Sequence, residues 1–235
     1  MKILIVGGSG GIGLAIVRTF LQHYSDADII ATYHNHLPGV ENPRLRWVQL
    51  DITDEQQIKA LAAELGSITI LINAVGMLHS NNHKPEKSIK QFDADFYNQN
   101  IALNTLPSIL LAKHFMSSLR AAEQTYFIAL SARIGSITDN ASGGWISYRS
   151  SKAALNMAIK TISIEWKQKV PTCCVLLFHP GTTDTGLSKP FQRNLPESQL
   201  HSAEFTAAAL LNIINHSSSD DSGKFVSYDG SEIEW

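Results

Sequence analysis

The sequence predicts an α/β fold: a doubly wound, mostly parallel sheet of seven strands with helices on both faces. Three observations carry this expectation. Short apolar runs alternate with segments of helical periodicity along the whole chain, the pattern of parallel strands joined by crossover helices. The first apolar run leads straight into a glycine cluster that opens a helix. The chain has 235 residues, 44% of them hydrophobic, which is enough for one sizeable core and points to a single domain over 1–235.

Lys2 to Val6 predicts a buried first strand, and Leu14 to His23 carries Ile16, Val17, Phe20 and Leu21 at helical spacing. Between them stands Gly7-Gly8-Ser9-Gly10-Gly11-Ile12-Gly13. Glycines let backbone approach a pyrophosphate, and a helix N-terminus offers unpaired N–H groups with a partial positive charge. Strand, glycine turn and helix in that order make a candidate nucleotide-binding loop, although glycines alone equally make a plain tight turn. Asp28 to Tyr33 is the second strand, ending in Thr32-Tyr33-His34 without a carboxylate. An acid there binds the adenosine ribose of NAD and would repel the extra phosphate of NADP. Its absence favours NADP, with His34 as a helper or as a solvated loop residue.

Leu45 to Leu50 is the third strand, and Asp51 after it can accept a hydrogen bond from an adenine amino group. Thr53 and Gln56 have the spacing of a capping box for a helix over Asp54 to Leu65 that buries Ile58, Leu61, Ala62 and Leu65. Ile68 to Ile72 is wholly apolar, as in a strand covered on both faces, and ends at Asn73-Ala74-Val75-Gly76. His79 and His83 have the spacing of two metal ligands on a helix, but no helical pattern surrounds them, so no metal is expected. Phe92 to Leu119 predicts one long apolar helix. Asn100 near its middle is a propensity cost, so its side chain either faces solvent or has a task.

Thr125 to Leu130 is the fifth strand, followed by Ser131 and a loop from Arg133 to Trp145. A central helix runs from Ser147 to Lys167, and Thr172 to Phe178 is the sixth strand. His179-Pro180-Gly181 is turn chemistry, with hydroxyls following at Thr182, Thr183 and Thr185. Residues 186–202, irregular and holding Pro190 and Pro196, read as a lid. A helix over Glu204 to Asn215 and a strand over Lys224 to Tyr228 complete the set. Ligands of such sheets bind beyond the carboxyl ends of the strands. Gly7, Tyr33, Asp51, Asn73, Ser131 and Pro180 each follow a strand and are expected to line one crevice.

The central helix holds the pair that gives the crevice a chemistry. Tyr148 and Lys152 lie one turn apart on one helix face. An ammonium beside a phenol favours the phenolate and lowers a pKa that is ordinarily about 10. Such a phenol can exchange a proton with a substrate oxygen. By itself the spacing is common on helices, where a surface Tyr and Lys would show it too.

Composition removes other classes. A formal net charge of −2 argues against binding nucleic acid by phosphate neutralisation. No apolar run approaches the roughly 20 residues of a membrane span, and the opening run is too short for a signal peptide. The two cysteines, Cys173 and Cys174, would point to opposite faces of a strand, so they are expected as buried free thiols of a cytoplasmic protein. The apolar helices over 92–119 and 147–167 can bury a second face, which predicts a homodimer or homotetramer.

Taken together, these motifs resemble the short-chain dehydrogenase/reductase family over essentially the whole chain. The resemblance rests on Gly7 with Gly11-Ile12-Gly13, Asp51, Asn73-Ala74-Val75-Gly76, Asn100, Tyr148 with Lys152, and Pro180-Gly181 with Thr185. Within the family the chain is similar to the C-factor (cell–cell signalling) group. That closer match lies in Pro85-Glu86-Lys87, Ser131 to Ser136, Gly143-Gly144-Trp145, and Tyr228-Asp229-Gly230 with Trp235. The resemblance implies a Rossmann-like fold and hydride transfer between NADP or NAD and a carbonyl or secondary alcohol. It makes Tyr148 the acid/base, and Lys152 the holder of the nicotinamide ribose that lowers the Tyr148 pKa. Asn100 positions a water in a proton relay, Ser131 bonds the substrate oxygen, and Thr183 and Thr185 hold the nicotinamide carboxamide. The implied cofactor-binding set is Gly7, Ser9, Gly11, Ile12, Gly13, Tyr33, His34, Asp51, Ile52, Asn73, Ala74, Gly76, Lys152, Pro180, Thr183 and Thr185.

One position departs from the family pattern. Many members have two serines at the end of the fifth strand, the second being catalytic; here the pair is Ser131-Ala132. The serine role then falls to Ser131, to Ser136 or to no serine. The departure keeps a second class open beside the enzyme: a nucleotide-binding signalling or interaction protein with weak or no turnover.

Overall fold

The computed structural model describes residues 1–80, 82–193 and 195–235, with Glu197 by its backbone alone. The expected sheet is present. In chain order its elements begin with β1 (Lys2–Val6), α1 (Gly11–His23), β2 (Asp28–Tyr33), β3 (Leu45–Gln49), α2 (Glu55–Leu65) and β4 (Ile70–Asn73). They continue with α3 (Ala94–Asn104), α4 (Leu106–Phe115), β5 (Thr125–Leu130), α5 (Ile146–Lys169) and β6 (Cys173–His179). The two short strands β7 (Thr182–Thr183) and β8 (Leu200–His201), then α6 (Ala203–His216) and β9 (Phe225–Ser227), end the series. Seven strands form one sheet in the order β3-β2-β1-β4-β5-β6-β9, and every pairing in it is parallel.

Period-two alternation divides the core into two layers. Ile3 and Ile5 of β1 pack toward α1 and α6 with Phe20 and Leu210, while Leu4 and Val6 pack toward α2, α4 and α5 with Ile58, Leu111 and Leu155. Cys173 and Cys174 fall in opposite layers as buried free thiols. The strand order turns back on either side of β1, with β2 on one flank and β4 on the other. That switch point opens a crevice at the carboxyl ends of the strands.

Three local expectations are corrected. The single helix over 92–119 is two helices, α3 and α4, broken at Thr105. Pro107 in the first turn of α4 has no N–H to continue the ladder of α3. The Thr105 hydroxyl instead donates to the Ser151 carbonyl at 2.7 Å. The cap of α2 is Asp54, not a Thr53–Gln56 box: its carboxylate accepts from the Gln56 and Gln57 amides at 2.9 and 3.4 Å. Thr53 is turned back to Asp51 Oδ1. The expected lid over 186–202 is not wholly irregular, because Leu200 and His201 pair in parallel with Thr182 and Thr183. Among the described residues, no helix is long and apolar enough to cross a membrane.

Candidate active site

The crevice at the switch point begins with the glycine loop. Gly7 stands at φ 77, a left-handed conformation that an L side chain resists. At Gly13 an added Cβ would lie 2.1 Å from the Gly7 carbonyl oxygen, so the first turn of α1 sits directly on the loop. Thr32 at the end of β2 ties the loop down: its hydroxyl accepts from the Gly7 amide at 2.9 Å and its carbonyl from the Ser9 amide at 3.3 Å. The N-cap of α1 is Gly10, which has no side chain to satisfy the first amides, and the first turn holds no acid. Free amides and a helix dipole at that point suit a phosphate anion.

Gly11, Ile12, Gly13, Ala74, Gly76, Ser131, Tyr148, Lys152, Pro180 and Thr185 line one cleft of about 290 Å³ in front of that helix end. The sequence reading missed Val75 and Leu130, which line it too, together with Leu187. These are apolar residues beside motif positions, and nothing in their type distinguishes them from core. A second pocket of about 320 Å³ shares Ile12, Ser131, Tyr148, Pro180, Thr185 and Leu187 with the first. Tyr148 therefore stands at the junction of a cleft and a side pocket. Thr183 lines the side pocket, and its hydroxyl lies 2.8 Å from that of Thr206.

Other motif residues stand behind the walls. Asn73 is a strut: its amide donates to Ser108 Oγ at 2.8 Å and its Oδ1 accepts from the Val75 amide at 3.1 Å. Tyr33, His34, Asp51 and Ile52 gather past the ends of β2 and β3 and line neither cavity. Hydrogen bonds from Thr53 hold the Asp51 carboxyl below its ordinary range, with a smaller pull from His34. Asn100 is fully buried, so its side chain does not face solvent. Its Nδ2 donates to the Phe96 carbonyl at 3.0 Å, and its Oδ1 accepts from Asn104 at 3.1 Å. The Asn104 amide also meets Ser151 Oγ at 2.9 Å, and that hydroxyl donates to the Tyr148 carbonyl at 2.8 Å. A polar chain thus runs from α3 to the turn that carries Tyr148. Its middle member, Asn104, was legible only as the i+4 neighbour of Asn100.

Tyr148 is held from the N-terminus of α5 as well. Glu86, 3% exposed, accepts from the Ser147 amide at 3.3 Å and from the Ser147 hydroxyl. A carboxylate at a helix N-terminus answers its unpaired amides and its dipole. The Glu86 carbonyl accepts from Trp145, the N-cap, at 2.6 Å, and Trp145 is in the left-handed region at φ 54. A bulky residue there is strained, and its ring lies 6.5 Å from Tyr148 and 5.0 Å from Phe191.

Lys152 Nζ lies 5.9 Å from the Tyr148 ring centre and donates to the Leu130 carbonyl at 3.0 Å. Both residues are buried. The expected lowering of the Tyr148 pKa by Lys152 is corrected: burial pushes the phenol above its ordinary value. Burial also depresses Lys152 to about 8. Desolvation by burial, which disfavours the charged form of each group, is the cause of both shifts. Ser131 Oγ donates to Asn156 Oδ1 at 2.6 Å, and Ser136 Oγ accepts from the Asp139 amide at 3.1 Å.

This geometry coincides with what comparison with known proteins gives. A family model described as short chain dehydrogenase matches residues 1–196. The chain belongs to the short chain dehydrogenase family. A 1-hydroxy-2-glutathionyl-2-methyl-3-butene dehydrogenase of Rhodococcus sp. is 29% identical over 242 residues, covering 99% of each chain. The C-signal protein of Myxococcus xanthus is 29% identical over 133 residues, covering 57% of this chain and 75% of its own, in keeping with the C-factor-like resemblance. A short-chain dehydrogenase/reductase of Burkholderia multivorans, solved with bound NADP, superposes with a TM-score of 0.81 at 25% identity, covering 100% of this chain and 99% of that one.

The depressed Lys152 has a consequence for stability in this family member. Its pKa is about 8 when folded against 10.5 when free. Between those values the unfolded chain holds the proton and the folded chain does not, so stability rises with pH across that window. Below about pH 8 the buried ammonium carries its desolvation cost. Lys152→Met is expected to raise the unfolding free energy at pH 7 by on the order of 1–3 kcal/mol and to flatten the rise between pH 8 and 10. Urea unfolding across that range reads both; an unchanged pH slope would contradict a buried, depressed Lys152.

Proposed function

We propose that this chain is an NADP(H)-preferring oxidoreductase that moves a hydride between the nicotinamide and a carbonyl or secondary alcohol, with Tyr148 as acid/base. The observation that carries the reading is the buried Tyr148–Lys152 pair facing the cleft in front of the uncapped α1 terminus. The site fits a dinucleotide. A Cβ at Gly7 or Gly13 would fill the loop, α1 offers free amides, and Lys152 retains donors beyond its one bond to Leu130. Bound there, the cofactor supplies the hydride.

In this reading α1 and the glycine loop, with Gly7, Ser9, Gly11, Ile12 and Gly13, bind the pyrophosphate. Tyr33, His34, Asp51 and Ile52 hold the adenosine end. Asn73, Ala74, Gly76, Pro180, Thr183 and Thr185 shape the nicotinamide half. Lys152 bonds the ribose, and Tyr148 donates its proton to the substrate oxygen as the hydride arrives. A phenol raised by burial is protonated at neutral pH and suits donation in the direction of reduction. Asn100 positions a water in a proton relay. Ser131 has its proton on Asn156 and Ala132 has none to give, so Tyr148 is the principal polariser of the substrate oxygen. Leu187 and Phe191 serve as the lid over the side pocket.

The NADP preference is supported by the absence of an acid at the end of β2 and by the NADP-bound relative of Burkholderia multivorans. The same proposal has the chain act in the cytoplasm, in keeping with its free buried thiols. It also has the chain pair through the exposed Leu106 and Ile109 of α4 and Met157 and Ile164 of α5 as a homodimer or homotetramer; a monomeric mass in solution would end that part. The second class, a signalling or interaction protein without turnover, is not favoured by membership of an oxidoreductase family. Titration with NADPH and NADH, followed by nicotinamide fluorescence, tests the reading. Tight NADPH binding with weaker NADH binding is expected, and binding of neither would overturn it.

A further inference from the structure

The side pocket carries a charge that the chemistry at Tyr148 does not use. Its body is apolar, with Leu78, Ile134, Trp145, Leu187, Phe191 and Leu195 among its walls. Among its described lining residues Arg133 alone carries a full charge at neutral pH. His179, also in the wall, is held down to about 4, first by burial and then by the Arg133 charge, and is neutral. Arg133 lines the side pocket but not the cofactor cleft, whereas Tyr148 lines both. A substrate with its reacting oxygen at Tyr148 and its body in the pocket would have Arg133 in the wall beside that body.

Among the described residues the Arg133 guanidinium has one distant partner. Among the described side chains its one acidic neighbour is Asp139, at 4.0 Å, and both are about half exposed, 49% each. An ion pair at that distance and exposure contributes little. The neighbouring Arg149 makes the contrast. It donates to the Gly144 carbonyl at 3.0 Å, to Ser142 Oγ at 3.0 Å, and to the Gly143 and Ile134 carbonyls at 3.3 and 3.4 Å. Arg149 is a structural clamp on the loop. The backbone of Arg133, meanwhile, is fixed: its amide donates to His179 Nδ1 at 3.3 Å, at the start of a short 3-10 turn over Arg133–Gly135. A planar fork of donors on an anchored backbone, at the mouth of an apolar pocket, is suited to a carboxylate.

We propose that the side pocket takes a carbonyl or alcohol substrate with an apolar body and a carboxylate end, and that Arg133 selects that end. The inference rests on the oxidoreductase reading and names its substrate class. No covalent step is added: the hydride transfer is unchanged, and Arg133 acts by binding alone.

The test uses the full-length protein saturated with NADPH and titrated with octanoate and with octanamide, which differ in charge but hardly in shape. Octanoate is expected to bind about tenfold more tightly, the scale of one charge-assisted contact. Arg133→Met is expected to bring octanoate down to the octanamide level. Asp139→Asn, which removes the competing carboxylate, is expected to tighten octanoate, and it keeps the inference testable should Arg133→Met fail to fold. Equal affinity for the two probes, binding of neither, or an octanoate preference that survives in Arg133→Met overturns the inference. Failure to bind NADPH at the outset overturns the oxidoreductase reading itself, so the two failures are distinguishable.

Discussion

Tyr148→Phe is expected to lower turnover by about 10²–10⁴-fold while leaving NADPH affinity unchanged. The substitution deletes one hydroxyl and keeps the ring that packs against Trp145. The helix start stays capped by Glu86 through Ser147, and the Tyr148 carbonyl keeps its bond from Ser151. What disappears is the proton that the substrate oxygen would receive. The serines of the β5 end do not replace it: Ser131 donates to Asn156, Ser136 lines neither cavity, and Ala132 has no side-chain donor. The loss should therefore be in kcat, with little change in the cofactor titration. Steady-state rates on any carbonyl that the wild-type protein reduces, beside NADPH fluorescence titration, separate the two. Turnover within a few-fold of wild type would remove Tyr148 from the acid/base role.

Gly13→Ala is the second large effect, and it acts on the opposite end of the cleft. The added methyl would sit 2.1 Å from the Gly7 carbonyl oxygen and 3.0 Å from Gly8 Cα. Neither obstacle is a flexible side-chain end, and the Gly7 oxygen also accepts from the Gly10 amide at 3.0 Å. The loop or the first turn of α1 must move. Overpacking of this kind typically costs about 1–3 kcal/mol, and more against backbone. For a chain of this size each kcal/mol is worth about 2–4 °C in Tm. Displaced amides no longer converge on one anion, so NADPH affinity should fall by at least about tenfold. A melting scan and the same fluorescence titration decide it; a wild-type Tm together with wild-type affinity would show that the tight approach is not needed for binding.

What the sequence determined by itself follows from short-range physics. Strand and helix periods fix which residues face the core, so seven strands, their order of appearance and the opposed cysteines were legible without coordinates. The glycine loop was legible because glycine has few uses immediately between a strand and a helix. The Tyr148–Lys152 spacing was legible because helix geometry fixes an i,i+4 pair. Local chemistry failed where two local signals competed: Thr53 and Asp54 both suit a cap, and Pro107 both fits a first helical turn and ends the preceding helix. Only the tertiary structure decided the rest. The direction of the Tyr148 shift depends on how deeply α5 packs, which no spacing encodes. The partners of Asn100, Ser131 and Glu86 come from elements far apart in the chain. Arg133 was readable only as the first residue of the loop that ends at Trp145. Its place in the wall of an apolar pocket, beside a committed Arg149, required the folding of β5, β6 and Leu187, Phe191 and Leu195 around one space. Periodicity reports which face a residue takes; it carries no information on what stands opposite that face.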